Sequence, residues 1–189
     1  MSSLNNTIVS YQQKLAISRL GLWLFFASDA FMFGGLLVSR FYLLGNKNLN
    51  LDQTLGLLVT SILLISSFFM NRAEVMVSEG NHKGFITSLV ITILLGISFL
   101  IGVVGLEWGS AHFGPGDGAE GAVFYMMTGM HAFHVLTGII FLSLVLRNGL
   151  NKKYTPEKHY AVEASANYWH FVDVVWIIYY PVLYLMGSM

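Results

Sequence analysis

Five stretches of this chain, near 20–43, 54–77, 85–107, 121–147 and 164–187, are apolar over lengths that a water-soluble fold does not produce. A hydrocarbon core about 30 Å thick takes roughly 20 helical residues to cross. The third stretch runs from Phe85 to Leu106 without a charge, and the fourth, Gly121 to Leu146, has none beyond its two histidines. In lipid the backbone must satisfy its own hydrogen bonds, which leaves helices or closed barrels. Barrel strands need segments of about 10 residues that alternate apolar and polar, whereas these stretches are apolar on every face. The fold class that follows is an all-α polytopic membrane protein, a bundle of five transmembrane helices forming a single domain over 1–189.

Composition removes several function classes. Only 11% of residues are charged and 55% are hydrophobic, against about 25% charged in an ordinary soluble domain. Ten Lys and Arg balance ten Asp and Glu, and no basic stripe offers a footprint for nucleic acid. With no cysteine there is no disulfide, no thiolate zinc site and no cysteine-held haem or iron–sulfur cluster. Any metal would need His, Asp, Glu or Met. Residues 1 to 17 are mostly polar and lack the basic start and apolar core of a cleavable signal, so the first apolar helix is expected to serve as the insertion signal.

The Lys and Arg residues orient the bundle. Lys14, Arg19, Arg72, Lys83, Arg147, Lys152, Lys153 and Lys158 fall on one side of the five spans, and only Arg40 and Lys47 on the other. The positive-inside rule then places the N-terminus in the cytoplasm and the C-terminus outside.

Ionisable groups lie inside the spans. At 1.5 Å per residue, Asp29, His131, His170 and Asp173 each lie within roughly 10 to 15 Å of a helix end, at one depth. An ionised acid there costs roughly 2.5 to 3.5 kcal/mol, so such groups face protein and hold a partner or a proton. Glu163 and His170 share one face of the fifth helix with Asp173 on its flank, and His131 and His134 are neighbours three apart. Imidazole and carboxylate at helical spacing suit non-haem iron or copper, and a haem held by one His from each of the last two helices is a second ligand reading. Metal sites in bundles draw a carboxylate from several helices, however, and here only the last span sets an acid beside a His. The reading adopted is a polar interhelix cluster of His131, His134, Glu163, His170 and Asp173 that fixes helix register, with no metal and no catalytic residue. Asp29 is the intramembrane acid linked to protons or lipid.

These residues also carry a resemblance. The run Glu163 to Trp176 (EASANYWHFVDVVW) resembles the E-A-x-x-x-Y-W-H-F-V-D-V-V-W signature of subunit III of the haem-copper terminal oxidases. Phe124 to Phe141 (FYMMTGMHAFHVLTGIIF) is similar to that family's T-G-x-H-G-x-H-V-x-x-G helix. Gly21 to Gly34 (GLWLFFASDAFMFG) is similar to its helix with an acid after A-S, and Leu106-Glu107-Trp108 to an acid-aromatic helix end. The resemblance extends from Arg19 to Gly187.

It implies a subunit with no redox centre of its own in an aa3-type cytochrome c oxidase of aerobic respiration. Haem and copper are expected in the partner subunits I and II, beside a small subunit IV where present. The chain would bind phospholipid, support proton uptake into subunit I and stabilise the complex, in a bacterial cytoplasmic (inner) membrane. Asp29 matches the family's mid-membrane acid, usually Glu, and Ala132 stands where the family has glycine. Five helices rather than seven, and an Asp at position 29, are also features of quinol oxidases, so a quinol oxidase subunit III is the alternative. A free-standing membrane haem or metal redox protein is the more distant one.

Overall fold

A computed structural model describes residues 2–186, with side chains from residue 12 onward. It is all-helical, and no strand occurs among the described residues. Helix α1 spans Ser2–Leu44, starting far ahead of the expected position 20, because neither Gly nor Pro interrupts the chain before Gly21. Its end is sealed by Arg40, which is fully buried and donates to the carbonyls of Gly45 and Lys47 at 2.9 and 2.8 Å. A cation at a helix C-terminus complements the exposed carbonyls and the helix dipole.

Helix α2 (Gln53–Ser78) begins at Asp52, whose carboxylate accepts from the backbone N–H groups of Thr54 and Leu55. Helix α3 (His82–Leu100) begins likewise at Asn81, which accepts from the N–H of Gly84. Both are side-chain caps of orphan first-turn donors. Between them Gly80 takes φ +75, a left-handed turn that glycine makes without steric cost. Beyond Leu100 the third rod widens into a π-helical stretch, Ile101–Glu107, then ends as Trp108–Ser110. Helix α4 covers Gly118–Leu150 and helix α5 Tyr160–Tyr180, the latter followed by a second π turn, Pro181–Leu185. Pro181 has no N–H, so α-helical bonding does not continue through it and the helix opens. Residue 187, the expected end of the fifth stretch, lies outside the described residues.

Among the described residues four segments are long and apolar enough to cross a membrane: Gln12–Leu44, Gln53–Ser78, His82–Ser110 and Gly118–Leu150. Helix α5 is less apolar because it carries Glu163, His170 and Asp173, and it is the one wrapped by α1, α2 and α4. Polar residues on a helix that faces protein cost less than on one that faces acyl chains. The molecule is a helical polytopic membrane protein.

Tryptophan sets the spacing of the core. Trp169 of α5 is 1% exposed and lies between Gly96 of α3 and Gly138 of α4. A Cβ at those glycines would come within 2.6 and 2.9 Å of the indole, so only glycine admits the ring at this helix separation. Its indole N–H donates to Ser66 Oγ at 3.1 Å, and that of Trp176 to Thr60 Oγ1 at 3.0 Å, tying α5 to α2. By contrast, a Cβ at Gly34 or Gly35 would meet nothing within 4 Å.

The ends of the bundle segregate as the charge pattern requires. Arg19 pairs with Glu163 at one end, where Gly80 also meets Pro156. Lys47 pairs with Glu120 at the other.

Candidate functional site

Helix α1 lies against α4 and α5 through a ladder of aromatic rings: Phe26 stacks on Phe171 at 5.1 Å, and Phe33 meets the edge of His134 at 4.8 Å. Between those rings Asp29 approaches His134, with Oδ2 3.4 Å from Nε2 and 14% of the Asp29 side chain exposed. Nδ1 of the same ring is 2.8 Å from the carbonyl of Met130. A carbonyl only accepts, so Nδ1 carries a hydrogen, and Nε2 is the nitrogen that faces the carboxyl, whose Oδ2 has no hydrogen-bond partner. Tyr168 of α5 closes the arrangement, donating to the carbonyl of His134 at 3.1 Å and meeting Thr137 Oγ1 at 2.6 Å.

The remaining polar residues occupy three other places. His170 Nδ1 lies 2.7 Å from Ser67 Oγ of α2 and 3.8 Å from Asp173 Oδ2, one turn along its own helix. Asp173 is 3% exposed. Glu163 stands at the end of the bundle, where Nη2 of Arg19 reaches both carboxylate oxygens, at 3.0 and 3.1 Å. Both side chains are partly solvated, so this pair contributes at most about 1 kcal/mol. His131 is fully buried and packs against rings, with Trp176 at 4.7 Å and Phe99 at 5.6 Å. Neither of its nitrogens has a hydrogen-bond partner. Although His131 and His134 are three apart on α4, the first faces α3 and α5 and the second faces α1.

The structure therefore sets Asp29 beside His134 and Asp173 beside His170, with Asp29 Oδ2 and both Asp173 oxygens lacking a hydrogen-bond partner, and holds His131 and Glu163 apart from both. Sequence periodicity missed Ser67, which lies 103 residues from His170, and Tyr168, whose hydroxyl spans to α4. Glu107, marked in the sequence only by its resemblance to an acid-aromatic helix end, is 5% exposed and accepts from Tyr184 Oη at 2.5 Å. An acid at the end of an apolar run, followed by Trp, was the available signal.

A bundle of apolar helices whose buried polar groups link helix to helix defines an integral-membrane protein, and among the described residues no group of three or more His, Cys, Asp or Glu could hold a metal ion. A family model described as cytochrome c oxidase subunit III matches residues 9–188. Cytochrome c oxidase subunit 3 of Gallus gallus is 36% identical over 184 residues, covering 90% of this chain and 70% of that protein. The Oryctolagus cuniculus protein is 36% identical over 187 residues with the same coverage. That of Osphranter robustus is 44% identical over 132 residues, 70% of this chain and 50% of its own. The chain belongs to the cytochrome c oxidase subunit III family, and membership implies a complex with other oxidase subunits.

Proposed function

We propose that the chain is the flanking, non-redox subunit of an aa3-type oxidase that takes electrons from cytochrome c. It packs beside subunits I and II, with a small subunit IV where the complex has one. Haem and copper reside in those partners, and this chain contributes bound phospholipid, support of proton uptake and resistance of the complex to inactivation. The observation that carries the reading is the placement of Asp29 beside His134, an acid and an imidazole 3.4 Å apart at depth between α1 and α4. An acid kept inside a membrane is there for a proton or a polar partner. The eight-to-two distribution of Lys and Arg supports an N-terminus on the cytoplasmic face of a bacterial cytoplasmic membrane, where the positive-inside rule operates.

The test is purification from the native membrane in mild detergent. The expected result is co-purification with haem- and copper-bearing subunits and phospholipid, and oxidation of reduced cytochrome c by the assembly. Oxidation of quinol in its place would move the chain to the quinol oxidases, for which the Asp at position 29 speaks. A chain that purifies alone with a stoichiometric Soret band, iron or copper would overturn the subunit reading.

A further inference from the structure

At the end of the bundle opposite Arg19, the two π turns face each other. One ends on Glu107 and the other carries Tyr184, and their side chains meet at 2.5 Å. A phenol donating at that distance is the geometry of a charge-assisted bond to a carboxylate. Glu107 Oε1 has no partner, although the residue is only 5% exposed. Above this pair opens a cavity of about 320 Å³ lined by Asn50, Asp52, Glu107, Ser110, His112 and Tyr184 among others. Two carboxylates and several neutral acceptors line it, and no Lys or Arg does.

The chain has no cation of its own to supply. Arg40 is committed to the carbonyls of Gly45 and Lys47, and Lys47 to Glu120. The other eight basic residues belong to the opposite end, about 30 Å away across the hydrocarbon core. A bare metal ion is a poor fit, since the cavity is far larger than an ion and the described residues form no set of three or more metal-ligating His, Asp or Glu. A guanidinium or ammonium on a side chain fits both the size and the charge, and its several donors match the acceptors of the wall.

We propose that this cavity receives a basic side chain of a neighbouring oxidase subunit, with Glu107 as its buried counter-ion, making the outer end of the bundle a docking socket. The inference rests on the reading that the chain works within an oxidase complex.

The assembled complex tests it. Glu107→Gln keeps the shape and the Tyr184 contact but removes the charge, and it should speed release of this chain from the complex about 30-fold, as loss of one partner of a buried charge pair does. Asp52→Asn preserves the helix cap while lowering the charge of the socket, and it should act in the same direction, which keeps the test alive if the first variant does not accumulate. A benzophenone side chain placed at His112 should form an adduct with a partner-subunit peptide containing Arg or Lys. Release rates equal to the unaltered chain in both variants, or an adduct only with lipid, would overturn the socket. Release governed by added or chelated divalent cation would overturn it in favour of a metal. Failure of the unaltered chain to join any complex would instead refute the functional reading itself.

Discussion

Asp29 and His131 sit at similar depth yet respond to opposite needs. Asp29 faces the His134 ring at 3.4 Å, and Asn at the same position keeps nearly the same volume while losing the ionisable group. Interhelical hydrogen bonds in membranes average about 0.6 kcal/mol, so Asp29→Asn is expected to leave the amount of assembled complex near normal on native gels while shortening its catalytic lifetime. Loss of the complex altogether would mark Asp29 as a structural residue. His131 has no polar partner and two rings against it. His131→Ala leaves a hole worth about 2 to 4 kcal/mol and should release the chain from the complex more readily, with the haem spectrum unchanged. His131→Phe keeps the ring packing and removes two unsatisfied nitrogens, each group of that kind costing about 1 to 3 kcal/mol, so it should match or exceed the native thermal midpoint. A phenylalanine variant as damaged as the alanine one would reveal a polar partner for the imidazole. The sequence made the depth of these residues legible, because depth is a count along a helix. It did not show that residues three apart on α4 would face different neighbours, since that depends on where α1, α3 and α5 stand around it.

At the scale of helices, the socket for Trp169 decides how closely α3, α4 and α5 approach. Gly96→Ala or Gly138→Ala places a methyl inside the indole and should lower stability by about 1 to 3 kcal/mol, the usual cost of overpacking, read as an earlier thermal transition of the purified complex. Combining Gly96→Ala with Trp169→Phe should cost less than the two changes added, because the smaller ring vacates the space the methyl needs. Strict additivity would show that the glycine serves the backbone and not the ring. The ends of the helices were predicted to within a few residues where Asp52, Asn81 and Gly80 punctuate the chain. They were misread at α1, where polarity was taken for an end although nothing in the sequence stops the helix. Neither π turn was foreseen, since hydrophobic periodicity over five to seven residues does not separate a wide turn from an ordinary one.

For the molecule as a whole, the charge asymmetry makes an orientation that can be measured directly. The chain has no cysteine, so single cysteines introduced at Lys152 and at Asp117 report without background. A membrane-impermeant maleimide added to intact cells is expected to label the Asp117 position and to reach the Lys152 position only after lysis; the reverse pattern would invert the bundle. Which strip of the surface meets another subunit was not readable from composition, because every span is apolar towards both lipid and protein. The paired π turns carry a last consequence, for how relatives are compared. A wide turn accommodates about one more residue than a turn of α-helix, so a descendant that deletes one residue between 101 and 107 keeps an unbroken rod. Because each π step turns less than an α step, rewinding offsets the lost residue and leaves the side chains beyond it facing nearly as before, so an alignment that forbids gaps inside membrane helices would set Glu107 opposite the wrong residue and the acid would look lost.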